Sequence, residues 1–499
     1  MPPGQSSPSP WRQRPLLVVR GLAALVRLLA AVFAKGYGMH DDHFFVVEVA
    51  QRWVEGHRDW LDDPGSYHGL LYPGLHYLLF AGLERAGIGD PQAKMLVVRL
   101  LHAAWSMLTV YYGYKTAEVL SGPRVARLAG LFLALLWLMP FMSVRNLVEV
   151  ACQPPLAAGA FCLVRDPEGR RGRDMALSGV LFGLAFCIRF QTAVMAAAVG
   201  LTLLALRRFR AAALFGAGAL AAAALVQGGT DWAGYGRPFS SVLAYLAYNS
   251  DPANIAGYPQ GPWHFYVGLL AGVLVPPLGP CLLWGFLASW RRVPLLFWPT
   301  LAFLVVHSAY PGKQERFVLP ALPFLAVLGV CGFEELAGRS AFWIRHPRLR
   351  SGIWAAFWVL NLPALLVYST TYSKRTRVEA LSILHGRADV RGVVIETSEA
   401  SVAMPPLFYL GKDAPVYELA STREVAALAA EIAASGRARP NYVVFTGEPD
   451  LEGRVRRVAP LLPGLELQGR VDPSFVDWLA HRLNPRNNVN LTAWIYRSP

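Results

Sequence analysis

Apolar runs of about 17–25 residues, long enough to cross a bilayer as helices, follow one another along most of the chain. They lie near 15–34, 97–118, 126–143, 147–164, 175–188, 190–206, 211–228, 265–288, 294–309, 317–337 and 352–371. The pattern predicts a polytopic α-helical membrane protein with about eleven spans. Spans in such number exclude a secreted protein that carries only a signal peptide. The first run is the weakest, because it contains Arg20 and Arg27.

Cytoplasmic loops carry an excess of Lys and Arg, which gives the runs a direction. With a cytoplasmic N-terminus, alternate loops hold Lys115, Arg124 and Arg127; Arg165, Arg170, Arg171 and Arg173; Arg207, Arg208 and Arg210; Arg291 and Arg292; and Arg339, Arg345, Arg348 and Arg350. The short loops on the other side hold few cations. This topology places the 36–95 loop, the 229–264 loop and the tail after about 372 on the extracytoplasmic face.

Polar patterning marks the two ends. Residues 1–14 are rich in Pro, Ser and Arg and predict a disordered cytoplasmic tail. Residues 15–371 form the membrane domain. From 372 to 499 the pattern changes. Val393-Val394-Ile395 and Tyr442-Val443-Val444-Phe445 read as short buried strands. Arg423–Ser435 reads as a helix with Ser421 or Thr422 as N-cap and Gly436 beyond its end. The tail is therefore expected to be a small extracytoplasmic α/β domain.

Composition agrees with a membrane chain: 54% of residues are hydrophobic and 16% charged. The net charge of +14 would suggest nucleic acid in a soluble protein. Here the cations sit in loops between spans, so topology explains them and no nucleic-acid partner is expected. Cys152, Cys162, Cys187, Cys281 and Cys331 lie in or beside apolar runs without CxxC spacing, as packing residues do. No metal site is expected.

Charge at a membrane boundary is costly, so it points to chemistry. Four extracytoplasmic groups stand out. His40-Asp41-Asp42-His43 with Glu48 offers adjacent carboxylates, one of which can be driven to accept a proton. The same acids also suit the start of a helix, and the run could be read as metal ligands, although contiguous ligands fit one ion poorly. Arg145, Asn146 and Glu149 mark a short turn, with an interfacial ion pair as the alternative. Arg189 and Gln191 sit in a break between spans, where the Arg either snorkels or faces a polar cavity. Lys313-Gln314-Glu315-Arg316-Phe317 opens a span with two cations, as a phosphate site would. The 229–264 loop and the start of the next span add Asp231, Tyr235, Asn249, Trp263, His264 and Tyr266, which suit sugar rings or an aromatic belt.

The order of these groups resembles the GT-C glycosyltransferases, and within them family 22, the dolichol-phosphate-mannose-dependent mannosyltransferases of N-glycan and GPI-anchor assembly. The family's opening His-Pro-Asp-Glu motif and its following Glu resemble His40-Asp41-Asp42-His43 and Glu48, with Asp42 on the family's Asp. Its Tyr-Pro pair looks like Tyr72-Pro73, and its Arg/Asn/Glu turn like Arg145, Asn146 and Glu149. Its Arg-Pro-Thr-Ala segment is similar to Arg189-Phe190-Gln191-Thr192-Ala193. Further on, Asp231, Tyr235-Gly236, Pro238 and Tyr248-Asn249, then Pro262-Trp263-His264-Phe265-Tyr266, then Gly312-Lys313-Gln314-Glu315-Arg316-Phe317 follow the family's order. The departures are Asp41 for Pro, His43 for the second acid, and Gly312 and Gln314 for His and Glu.

The resemblance implies a GT-C membrane enzyme that inverts configuration. It would transfer a mannose-like hexose from a polyprenyl-phospho-sugar donor to a hydroxyl of a lipid-linked or glycan acceptor. Asp42, with Asp41 second, would be the base; Lys313, Arg316 and Arg189 would bind the donor phosphate. His40, Glu48, Arg145, Glu149, Asp231, Asn249, Trp263 and His264 would bind substrate. No cofactor or metal would be needed, and membrane lipids would surround the spans. The departures and the Arg- and Ala-rich composition suggest a bacterial relative in the inner membrane. A non-catalytic lipid- or glycan-binding protein and a lipid-linked-sugar transporter are the alternatives.

Overall fold

The computed structural model describes residues 14–57, 68–485, 488–489 and 491–499. The expected disordered tail lies outside the described residues apart from Arg14, as do residues 58–67 of the expected 36–95 loop. The chain forms two compact units. Of the described residues, one contains those within Met1–Ala31, Glu55–Tyr77 and Val98–Ser369; the other contains those within Val32–Val54, Leu78–Val97 and Thr370–Pro499.

The first unit is helical, and every apolar run read from the sequence falls on helix. Among the described helices, five are long and apolar enough to cross a membrane, and six if the bent pair Phe265–Val273 and Leu278–Ala288 counts as one span. Other runs give shorter helices: Gln153–Arg165 has 13 residues, Gly172–Ile188 has 17 and Pro294–Ala309 has 16. Each falls short of the roughly 20 residues that a straight span needs. The run near 97–118 and the first part of that near 126–143 join in Pro91–Leu135, broken at Gly122, where φ is 76°, and the rest of the second run forms Leu138–Ser143. That backbone region suits glycine, and Pro123 then starts the second helix.

Helix Glu315–Arg339 is the centre of this unit, buried along almost all of its apolar stretch. Phe209–Tyr235 and Pro347–Ser369 are mostly unburied along theirs. Their outward faces carry Leu220, Leu225, Val359 and Leu366, all exposed, as suits contact with acyl chains. The central helix packs closely on Leu278–Ala288: a Cβ on Gly332 would sit 2.0 Å from the Gly285 carbonyl oxygen. Small residues allow that approach where no hydrophobic effect drives helices together. Arg27, fully buried in Pro15–Phe33, has no acidic partner among its hydrogen bonds. Its guanidinium donates to Ser106 Oγ at 2.9 Å and to the carbonyls of Ala134 and Leu133 at 3.2 and 3.5 Å. Those carbonyls end helix Pro91–Leu135, where the helix dipole is negative.

The second unit is α/β. Strands β1 (Val393–Thr397), β2 (Val416–Leu419), β3 (Tyr442–Thr446), β4 (Glu466–Val471) and β5 (Ala493–Arg497) form one sheet in the order β2-β1-β3-β5-β4. β2, β1 and β3 are parallel; β5 is antiparallel to β3 and to β4. All five residues of β1 are buried, as expected for a parallel strand covered on both faces. Val394, Val443 and Phe445 pack against Leu428, Ile432 and Val458 on one face.

The helix expected at Arg423–Ser435 runs from Val425 to Ala434. Its N-cap is Glu424, not Ser421 or Thr422. Both hydroxyls are engaged elsewhere: Ser421 Oγ donates to the Glu399 carbonyl at 2.8 Å and Thr422 Oγ1 to that of Ala400 at 3.2 Å. Glu396, fully buried on β1, is met by Arg454 Nε at 2.9 Å and Arg457 Nη2 at 2.8 Å.

Candidate active site

In the helical unit the polar residues gather around Glu149. This residue lies in the first turn of the short helix Val148–Ala151 and is fully buried. Arg189 ends helix Gly172–Ile188 in extended conformation, which turns its side chain out of the helical path. Its Nη1 lies 2.7 Å from Glu149 Oε1. Arg316, at the head of the central helix, brings Nε to 3.5 Å from the same oxygen. Both guanidinium groups lie beside the Phe317 ring, at 5.6 and 5.7 Å from its centroid. The sequence separates Glu149, Arg189 and Arg316 widely; the fold makes them one cluster.

Two guanidinium groups meet at the Glu149 carboxylate, and Arg189 Nε and Nη2 are buried without a hydrogen-bond partner among the described residues. Buried donors of this kind are costly unless an acceptor meets them. A phosphate oxygen would be such an acceptor, and Arg binds phosphate in a fork geometry. Arg316 Nε also donates to Gln314 Oε1 at 2.8 Å, so Gln314 helps to orient it. Arg145 and Asn146 are buried nearby in sequence, with the Arg145 guanidinium 4.1 Å from the Phe141 centroid. Gln191 donates to the Tyr245 hydroxyl.

Lys313 has another setting. Its ammonium donates to the carbonyls of His307 at 3.0 Å, Ser308 at 2.8 Å and Tyr310. An ammonium has three N–H donors, and here all three close the end of helix Pro294–Ala309. Tyr266 holds the next residue, donating through its hydroxyl to the Gln314 carbonyl at 3.1 Å. The segment that presents Arg316 is thus fixed from both sides.

The remaining candidates of this unit divide by burial. Asp231 is fully buried and accepts from Gln227 Nε2 at 2.9 Å, Ser241 N at 3.0 Å and Ser241 Oγ at 2.7 Å. It joins helix Gly229–Tyr235 to helix Ser240–Ser250. Asn249 Nδ2 donates to the Tyr245 carbonyl at 2.9 Å. Trp263 and His264 are exposed, their rings edge to face with centroids 5.5 Å apart.

In the α/β unit, His40–Asp42 forms one helical turn and His43–Glu48 a π-helical turn. Turns of this second kind recur at functional sites. The two acids differ: Asp42 is 5% exposed, whereas the Asp41 side chain is 41% exposed and 3.8 Å from His40 Nδ1. His43 is fully buried, between Tyr37 at 4.6 Å and Tyr409 at 5.4 Å. Its Nε2 lies 3.2 Å from Glu48 Oε1, and that carboxylate accepts from the Phe408 amide at 2.9 Å. His43 and Glu48 therefore fasten the turn that carries Asp42. The sequence reading missed Tyr37, Phe408 and Tyr409, which stand outside its motifs. Among the described residues no three His, Cys, Asp or Glu side chains gather as metal ligands.

Comparison with known proteins places this chain among membrane sugar transferases. Residues 21–391 match the Alg9-like mannosyltransferase family. The chain is 24% identical over 391 residues to mannosyltransferase APTG1 of Arabidopsis thaliana, covering 72% of this chain and 69% of the relative. It is 24% identical over 321 residues to GPI alpha-1,2-mannosyltransferase 3 of Danio rerio, covering 62% and 58%. Its fold is similar to that of ArnT from Cupriavidus metallidurans bound to undecaprenyl phosphate, with TM-score 0.60, 13% identity and coverage of 96% and 97%. It is also similar to that of the oligosaccharyltransferase AglB from Archaeoglobus fulgidus, in complex with an inhibitory peptide and a dolichol-phosphate. That match has TM-score 0.52, 14% identity and coverage of 88% and 70%. The fold is thus GT-C.

Proposed function

The chain belongs to the Alg9-like mannosyltransferase family, and on that premise we propose that it transfers mannose from a polyprenyl-phosphate donor to a hydroxyl of a lipid-linked or glycan acceptor. The chain is an integral membrane glycosyltransferase. The donor reading draws on its structural neighbours, solved with undecaprenyl phosphate and with dolichol-phosphate. The observation that carries it is the buried Arg189 guanidinium at Glu149, whose Nε and Nη2 have no hydrogen-bond partner among the described residues. We assign the reaction to the extracytoplasmic face of a bacterial inner membrane, following the distribution of loop cations.

The proposed reaction is a single displacement. Asp42 accepts the proton of the acceptor hydroxyl, with Asp41 beside it as the second acid. The hydroxyl oxygen attacks the anomeric carbon, and the bond from that carbon to the phosphate oxygen breaks on the opposite face. The product linkage is inverted, and polyprenyl phosphate leaves with the bonding electron pair. A positioned base is worth about 10²–10⁴ in rate. Arg189 and Arg316 offset the charge that develops on the phosphate. Glu149 keeps the two cations together before the donor binds. Lys313 fixes the segment that presents Arg316, and Asp231 and Asn249 brace the neighbouring helices. His40, Glu48, Arg145, Trp263 and His264 complete the substrate contacts. With cations taking the leaving-group charge, the reaction needs no metal.

The test uses purified protein in detergent with a polyprenyl-phospho-mannose donor labelled in the sugar, and an acceptor panel. Label should move from donor to acceptor with the wild type, survive chelator, and stay on the donor with Asp42→Asn. Failure of the wild type to use any polyprenyl-phospho-hexose would overturn the donor reading.

A further inference from the structure

The α/β unit has a cleft of its own at the carboxyl ends of its parallel strands. From β1 the chain moves to β2 on one side, then returns through helix Val425–Ala434 to β3 on the other side. The strand order therefore reverses at β1. In open α/β sheets the crevice at such a reversal is where ligands bind. A cleft open to solvent lies there. Its floor includes Thr397 and Thr446, the last residues of β1 and β3 and partners in register. The chain leaving β1 passes close over the end of β3: a Cβ on Gly447 would sit 2.1 Å from Ser398 Oγ. Gly447 also has φ +94°, so both its space and its backbone call for glycine.

The polar groups of this cleft are complementary in a specific sense. Thr397 Oγ1 accepts from the Glu399 amide at 3.2 Å, which leaves its own O–H to donate. Thr446 Oγ1 donates to the Glu396 carbonyl at 3.1 Å, which leaves its lone pairs to accept. A ligand hydroxyl placed between them can accept from one and donate to the other. Arg377 and Glu399 also line the cleft, so its formal charges cancel. Pro405, Pro406 and Leu381 supply apolar wall. Apolar walls with a few converging polar groups are the usual form of a small-molecule site.

We propose that this cleft binds a neutral sugar ring, its hydroxyl bridging Thr397 and Thr446 and its apolar face on the prolines. The site is separate from the transfer reaction assigned above and stands or falls independently of it. Full-length protein in detergent is mixed with methyl α-D-mannopyranoside, and in parallel with other neutral methyl hexosides, and saturation transfer to each is read by NMR. Transfer to at least one hexoside is expected. Ser401→Trp, at the exposed mouth, should sharply reduce it. Thr446→Val should weaken binding by about two- to tenfold, the loss of one hydrogen bond. Thermal melting of each variant checks folding, and Thr446→Val carries the test if Ser401→Trp misfolds. No transfer to any neutral hexoside, or transfer that both cleft variants leave intact, would overturn the proposal. Loss of mannosyl transfer is read separately with labelled donor and leaves either result unchanged.

Discussion

Arg189 Nη1 lies 2.7 Å from Glu149 Oε1, with the two side chains 5% and 0% exposed. Arg316 Nε meets the same oxygen at 3.5 Å, so both cations share this carboxylate. Removing it takes a buried counter-charge from Arg189. Breaking a buried ion pair from one side costs about 3–5 kcal/mol. Glu149→Gln should therefore melt well below the wild type in detergent. Undecaprenyl phosphate should raise the melting temperature of Glu149→Gln more than that of the wild type, because its phosphate would replace the missing charge. Equal shifts in both proteins would count against a phosphate site here.

The two cations of the Lys313–Arg316 segment should behave differently. Arg316 faces Glu149, whereas the Lys313 donors are directed to helix-end carbonyls. Arg316→Gln should lower kcat by about 10²–10³, the scale of a lost electrostatic stabiliser of the transition state. Lys313→Met should chiefly lower thermal stability, by about 1.5–3 kcal/mol for one charged hydrogen bond. Melting curves and labelled-donor kinetics on both variants distinguish the two roles. A large kcat loss with unchanged melting in Lys313→Met would assign it to the phosphate instead.

Burial separates Asp42 from Asp41. A carboxylate at 5% exposure is held by its surroundings, while one at 41% is partly hydrated. Asp42→Asn should cut sugar transfer by about 10²–10⁴, the worth of a positioned general base. Asp41→Asn should change the rate only a few-fold. Donor binding, followed by protection from thermal unfolding, should be similar in both. The reverse order of kcat losses would move the base to Asp41.

The helices were legible because apolar runs of membrane length have few other readings. The cluster was legible only in part. Arg145, Glu149, Arg189 and Arg316 each stood out as charges near a membrane boundary, and their order matched a family. The meeting of Arg189 and Arg316 at one Glu149 oxygen depends on how the central helix packs, which no local pattern encodes. Tyr409 could not be found at all, since it packs on His43 from a segment more than 300 residues away and carries no motif. Asp231 read as a sugar contact because its motif fits one. Its partner Gln227 is one helical turn away, yet Ser241 closes the bond across a turn. The N-cap at Glu424 was missed for a related reason, because Ser421 and Thr422 bond to the chain leaving β1.

Glu396 sets the stability of the α/β unit. On β1 it has 0% exposure, with Arg454 at 9% and Arg457 at 33% as partners. Arg454 also donates to the Gly447 carbonyl at 2.7 Å and the Thr446 carbonyl at 2.8 Å. The carboxylate thus holds a guanidinium that in turn fixes the end of β3. Glu396→Ala leaves Arg454 buried without its carboxylate, at a cost of about 3–5 kcal/mol. Arg457→Ala should cost about 0–1 kcal/mol, because a partly exposed pair is screened by solvent. Hydrogen exchange on the full chain is the direct measurement. Glu396→Ala should speed exchange in β1 and β3 while helix Glu315–Arg339 stays protected. Unchanged exchange in both strands would show that the carboxylate does not hold the sheet.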